Sequence, residues 1–347
     1  MRCTRKQFGM AVALFAAGCL GVSSTAWAQA LEKQKVSIAV GGKNLLYYLP
    51  LTIAEQLGYF KDEGLQVEIN DFAGGAKALQ ALVGGSADVV SGAYEHTISM
   101  QAKGQAITAF VLQGRAPQIV LAVSTRTMPN YKSIIDLKGK KIGISAPGSS
   151  TNMMANFVLS KGGLKPGDVA FIGVGTSAGA LSAMRSGQID AMSNLDPVMT
   201  MLEQKNDVKV IVDTRTMKDT LAVFGGPMPA GTLYASADFL KKNPRTAQAL
   251  ANAMVRALKW LQQAGPSDIV KVVPENFLLG DRALYLASFM KAREALSPDG
   301  LFPDAGPATA LKALQAFDPA LAGKPIDLSK TWTNELARKA NLKYSAR

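Results

Sequence analysis

The strongest constraint on what this chain can fold into is an internal repeat. Ala78, Leu79, Ala81, Gly85, Asp88 and Ser91 recur as Ala180, Leu181, Ala183, Gly187, Asp190 and Ser193, so six of fourteen aligned positions match at a spacing of 102 residues. In each copy a small-residue turn (Gly74-Gly75 in one, Gly175-Thr176-Ser177 in the other) leads into a helix with apolar residues at helical spacing. The helix stops at a glycine beside a serine, and an aspartate opens a short apolar strand. A doubled α/β unit predicts two similar domains, and two facing domains predict a cleft.

Residues 1–28 fall outside that scheme. Arg2, Arg5 and Lys6 precede an apolar stretch over 8–22 that is too short to cross a bilayer, and Ala26-Trp27-Ala28 fits a small-x-small cleavage site, which predicts a secretory signal peptide. Cys19, after Ala16-Ala17-Gly18, leaves lipid attachment as the alternative. Cleavage after Ala28 removes both cysteines of the chain, Cys3 and Cys19, and with them any disulfide, thiolate metal site or cysteine nucleophile. It also lowers the formal net charge from +12 to +9, with no block of like charges, so nucleic acid is not an expected partner. The remaining basic surface is either simply solvated or a field that favours anions entering the cleft. The expected product is an exported, periplasmic protein.

Alternation and turn residues predict strands at 36–40, 65–69, 88–91, 106–112 and 119–123, with helices between them, which implies parallel βαβ units. Residues 124–130 read as a first passage between domains, and strands at 142–144, 169–174, 189–193 and 208–212 form a second domain. The return passage is expected in 224–232, and from 236 onward the chain reads as helical. The expected partition is 29–123 with 233–347 as a discontinuous first domain, and 124–232, hinge segments included, as the second.

Open parallel sheets bind ligands at their strand carboxyl ends, beside helix N-termini whose free N–H groups suit carboxylates, sulfonates, nitrate or phosphate. Three turns qualify: Gly74-Gly75-Ala76, Ser149-Ser150-Thr151 and Gly175-Thr176-Ser177. The same residues also serve as ordinary helix caps. Catalytic patterns are scarce. His96 is the only histidine, Glu95 beside it points elsewhere if the segment is regular, and no metalloprotease, Walker or nucleophile-elbow motif occurs. His96 is therefore read as a packing or surface residue, with a pocket-lining place as the alternative, and Asp88 and Asp190 as local turn hydrogen-bonders.

Three stretches in this order, residues 50–65, 84–89 and 136–143, resemble the periplasmic solute-binding proteins of nitrate/sulfonate/taurine-type ABC importers. The resemblance covers roughly 35–261. It implies a type II periplasmic binding protein fold: two α/β domains with mixed, mostly parallel sheets, flanking helices and two crossing hinge segments. It further implies no enzymatic activity and no cofactor, a small-molecule solute and a membrane permease as partners, and a monomer. By the same resemblance the pocket is lined by Lys43, Asn44, Tyr47, Gly74, Gly75, Ala76, Tyr94, Glu95, Gln113, Ser149, Ser150, Thr151, Asn194 and Asp196. Glu95 and Asp196 together would repel a bare anion and would suit a zwitterion or a ligand with a donor group. Related chains include binders of thiamine-precursor pyrimidines, and thiamine-pyrimidine synthases that use a cysteine-rich segment and histidine chemistry. A sensor presenting ligand to a membrane receptor is a third possibility.

Overall fold

The computed structural model describes residues 30–345; the predicted leader, its cleavage site and Cys19 lie outside them. Among the described residues there are ten strands: β1 (Lys35–Val40), β2 (Gln66–Asp71), β3 (Val89–Ala93), β4 (Ile107–Leu112), β5 (Val120–Ser124), β6 (Lys141–Ile144), β7 (Ala170–Gly173), β8 (Ala191–Asn194), β9 (Val208–Asp213) and β10 (Gly231–Ser236). They form two five-stranded sheets, ordered β2-β1-β3-β10-β4 and β7-β6-β8-β5-β9. In each, three strands run parallel, and the fourth in order is antiparallel to both its neighbours.

The two sheets share a plan because the repeat builds the same unit in both. The helices Gly75–Val83 and Ala178–Ser186 each end at a glycine turn, and Gly187 there takes φ 77°, a left-handed geometry that costs a glycine little. Asp88 then donates its N–H to Ser37 O and accepts the Ser37 N–H at 3.0 Å, while Asp190 does the same with Lys141, also at 3.0 Å. The two aspartates therefore tie the start of β3 and β8 to the neighbouring first strand, rather than closing their own turn as the sequence suggested. Along β1 the pleat sends Val36, Ile38 and Val40 into one apolar cluster and Ala39 into the opposite one, so this strand is covered on both faces.

Two assignments change. The strand expected in the first domain at 119–123 is β5, and it pairs with β8 and β9 in the second sheet (Val120↔Asn194, Val120↔Asp213). The chain thus crosses over residues 113–119, ahead of the 124–130 passage read from polarity. The return passage expected over 224–232 gives way at Gly231 to a strand that the sequence did not suggest, β10, which lies in the first sheet between β3 and β4. The two crossing segments hold each other: Ala230 donates to Gly114 O at 2.9 Å, Gln118 to Thr214 O at 3.0 Å and Thr214 to Ile119 O at 3.0 Å.

After β10 the chain is helical. The helix-forming run over 238–261 is divided at Asn243, because Pro244 has no N–H to continue a helix and suits its first turn. The second piece, Pro244–Gln263, buries Leu250, Met254, Leu258 and Leu261 completely, each burial worth about 1.5–3 kcal/mol. It packs on the helices Leu49–Gln56 and Glu335–Lys343, and Trp332 forms a parallel bridge to Ala109 at the β4 edge.

Candidate functional site

The carboxyl ends of the parallel strands in both sheets meet at one place. β1 runs out into Gly41-Gly42, where a Cβ on Gly41 would stand 2.2 Å from Gly75 N and one on Gly42 would stand 2.6 Å from Thr176 Oγ1. Gly74 lies as close to the loop after β6, its missing Cβ falling 2.9 Å from Ala146 Cβ and 3.2 Å from Ser149 Oγ. All three small-residue turns singled out from the sequence therefore converge. Two of them bond directly, the Ala76 N–H donating to Ser149 Oγ at 2.9 Å, and beside them Leu46 N donates to Asp196 O at 3.2 Å. These contacts join elements of the two sheets across the cleft, which is shut.

Inside the closed cleft lie polar atoms with no partner. Glu95 is 5% exposed and its Oε2 is unbonded. Burial raises its pKa to about 7. The carboxyl borders a cavity of about 10 Å³ walled by Pro117, Ile119, Met154, Phe157, Phe224 and Met228. His96 is 1% exposed, shares its Nδ1 with Tyr234 OH at 3.0 Å and has the Gly148 backbone beside its ring, with no hydrogen bond in range at Nε2. Burial lowers its pKa to about 4, so the ring is neutral at pH 7. It borders a wider cavity of about 370 Å³ between the two halves, together with Asn152 and Asn156, and Met153 and Phe317 line both cavities. Asn152 Nδ2 and Asn156 Oδ1 are unbonded as well.

The other expected pocket residues divide. Tyr47 is buried with its hydroxyl unbonded, its ring edge-on to Tyr48 at 4.8 Å, and burial raises its pKa. Asn44 keeps Nδ2 free. Gly74, Ala76 and Ser149 form the cross-cleft contact, Gly75 lies against Gly41 and His96 of its own half, and Ser150 begins the helix Ser150–Lys161 behind the contact. Lys43 is spent on Glu55 at 2.7 Å. Tyr94 turns into the first half's core, sharing a 2.6 Å hydrogen bond with Thr331 and packing on Phe302. Gln113 bonds Ser91 at 2.9 Å, Thr151 caps locally through Ser145 N at 3.0 Å, and Asn194 donates to Gly175 O at 3.1 Å.

Asp196 is tied up by a residue that the sequence did not bring forward. Arg215, 1% exposed, reaches Asp196 at 3.3 Å, Glu203 at 2.7 Å and Asp213 at 2.6 Å, while Asp196 also accepts the Thr200 hydroxyl at 2.8 Å. Asp196 therefore brings no free charge to the cleft, and Glu95 is left as its acidic group. Gln118 was also missed. It lies on the crossing segment at φ 58°, 2% exposed, with both side-chain polar atoms unbonded, between two residues that wall the Glu95 cavity. A glutamine in a loop carries no pattern, whereas the two hydrophobic neighbours and the crossing it sits on become visible only in three dimensions.

Two sheets of this order, joined by two crossing segments around a cleft, define the type II periplasmic binding proteins. Within that class the chain belongs to the NMT1/THI5-like family, whose description matches residues 46–266. A solved structure from Bordetella bronchiseptica RB50 is 64% identical, covers 91% of this chain and 100% of its own, and superposes with a TM-score of 0.90. The alkanesulfonate-binding protein SsuA of Xanthomonas axonopodis pv. citri, bound to MOPS, shares the fold at 20% identity (88% of this chain, 100% of its own, TM-score 0.66). Among sequence relatives, a Bacillus subtilis chain named as a binding protein, YtlA, is 27% identical over 74% of this chain and 75% of its own length. The 4-amino-5-hydroxymethyl-2-methylpyrimidine phosphate synthase THI13 of Saccharomyces cerevisiae is 24% identical over 67% and 68% respectively.

Proposed function

We propose that this protein is the extracytoplasmic solute receptor of an ABC importer, a monomer that closes over one small anionic or zwitterionic solute and presents it to a membrane permease. The observation that carries this reading is the set of direct bonds between the two halves at the meeting of three helix N-termini, with unpartnered polar groups enclosed just behind them. That is a cavity arranged to open, fill and shut, the hinge motion by which two-domain receptors bind. The 113–119 and 214–230 crossings are the hinge. No described helix is long and apolar enough to cross a membrane, and the predicted leader supplies the route of export.

The synthase reading, supported by the yeast relatives, is the alternative. It has no cysteine to use among residues 30–345, which favours binding over thiol chemistry. Native mass spectrometry of the protein as purified, followed by thermal melting with sulfonates, amino acids, carboxylates and pyrimidines, tests the receptor reading. A bound solute released unchanged, with a rise in melting temperature on adding it back, is expected. Turnover of a bound pyrimidine would overturn it.

A further inference from the structure

We propose that the receptor's ligand carries an amino nitrogen, and that this nitrogen docks as an ammonium on Glu95, with the rest of the solute lying in the cavity beside His96, Asn152 and Asn156. The inference rests on the receptor reading and narrows its substrate class from anions in general to amine-bearing zwitterions.

The geometry comes first. Glu95 Oε2 is enclosed and unbonded, and an acceptor left bare in an apolar setting costs free energy that only a donor can restore. The cavity that Glu95 helps to line is about 10 Å³, near the volume open to a single water-sized group, and an ammonium has that size. Its walls are Pro117, Ile119, Met154, Phe157, Phe224 and Met228, which offer no competing hydrogen bond. Through the shared residues Met153 and Phe317 the space borders the cavity of about 370 Å³, large enough for the body of a small solute. There Nδ2 of Asn152 and Oδ1 of Asn156 have no partner, and the His96 ring stands beside the Gly148 backbone.

Charge points the same way. The ionisable groups coupled to Glu95 are the hydroxyls of Tyr47, Tyr48, Tyr94 and Tyr234, with His96 next to it on the same helix, and none of them is cationic at neutral pH. Lys161, on the helix that supplies Met154 and Phe157, is turned to the Val223 carbonyl. Asp196, the second acid expected in the pocket, is turned to Arg215 and the Thr200 hydroxyl. A bare anion would meet an uncompensated carboxyl, whereas an ammonium brings the missing charge and restores the ionised form. Binding is then linked to Glu95 ionisation: affinity rises up to about tenfold per pH unit below pH 7 and levels off above it.

Matched pairs provide the test: taurine against ethanesulfonate, and β-alanine against propionate, titrated calorimetrically into wild-type protein and Glu95→Gln between pH 5.5 and 8.5. The expected result is that the amine-bearing member of at least one pair binds wild type at least tenfold more tightly than its amine-free partner. That advantage and the acid-side pH slope should both disappear in Glu95→Gln. An amine-free member binding as tightly as its partner, or affinity falling as pH rises, would overturn the inference and leave the receptor standing; Glu95 would then be a protonated donor or would hold only a water. If no probe binds, the mass of any solute carried through purification decides: one without a basic nitrogen overturns the inference alone. Finding neither probe binding nor a carried solute overturns the receptor reading and this inference with it.

Discussion

Ser149 Oγ accepts the Ala76 backbone N–H at 2.9 Å, although the two residues stand at the starts of helices that flank different sheets. This bond exists only while the cleft is shut. In Ser149→Ala the same N–H is enclosed without a partner, at a cost of about 1–3 kcal/mol to the closed state alone. Stopped-flow measurement of solute release should show faster dissociation by about tenfold or more with little change in association rate, and small-angle scattering should show a more open ensemble.

Gly74 tests the same closure by crowding. It takes φ 152°, and a Cβ there would sit 2.9 Å from Ala146 Cβ on the opposing loop. Gly74→Ala should therefore hold the halves apart and weaken solute binding, while Gly85→Ala, where no atom lies within 4 Å, should cost only the backbone strain of its turn. Paired calorimetry and thermal melts of the two variants separate the effects.

Stability against pH should carry two opposing contributions. Glu95 has its folded pKa raised to about 7 from an ordinary 4.5, so its contribution is present below about pH 4.5 and is lost as pH rises through 7. His96 is shifted down to about 4 from 6.5, so its contribution is present above 6.5 and is lost as pH falls through 4. Glu95→Gln should gain on wild type, by on the order of 3 kcal/mol, as pH rises from 4.5 to 7.5. His96→Gln should gain as pH falls from 6.5 to 4, beneath a constant loss from its Tyr234 bond. Denaturant titrations across this range read both slopes.

Arg215 is the charge that makes a cluster of acids tolerable. Arg215→Met leaves Asp196, Asp213 and Glu203 facing one another with little compensation beyond Lys291, which is 3.5 Å from Asp213. A loss of about 3–5 kcal/mol is expected in a urea melt. Arg215→Lys should recover only part of it, since one ammonium cannot reproduce the forked contacts to Asp213 and Asp196.

The sequence disclosed what repeats and what alternates. The doubled unit foretold two sheets of one plan, and the glycine and hydroxyl turns foretold where the halves touch, because backbone approach requires small residues at fixed places. What remained hidden depended on partners remote in sequence. β5 is apolar from Val120 to Val123, so its pattern suits either sheet. β10 opens with a glycine behind Gly225-Gly226-Pro227, and it reads as a turn until β3 and β4 are seen on either side of it. Tyr94 and Glu95 are adjacent and both buried, yet one faces Thr331 in the core and the other faces the cleft, a distinction set by the helix that begins between them. Asp196 looked available because Arg215 is nineteen positions away.

The placement of β10 also bears on the order in which the chain can acquire structure. β3 and β4 lie on either side of β10 and have no ladder with each other, so the first sheet stays interrupted until residues 231–236 are present. A chain emerging from its N-terminus must pass through the entire second sheet before the first can be completed. Its early half therefore has no finished sheet to form, a delay that would suit the export proposed above.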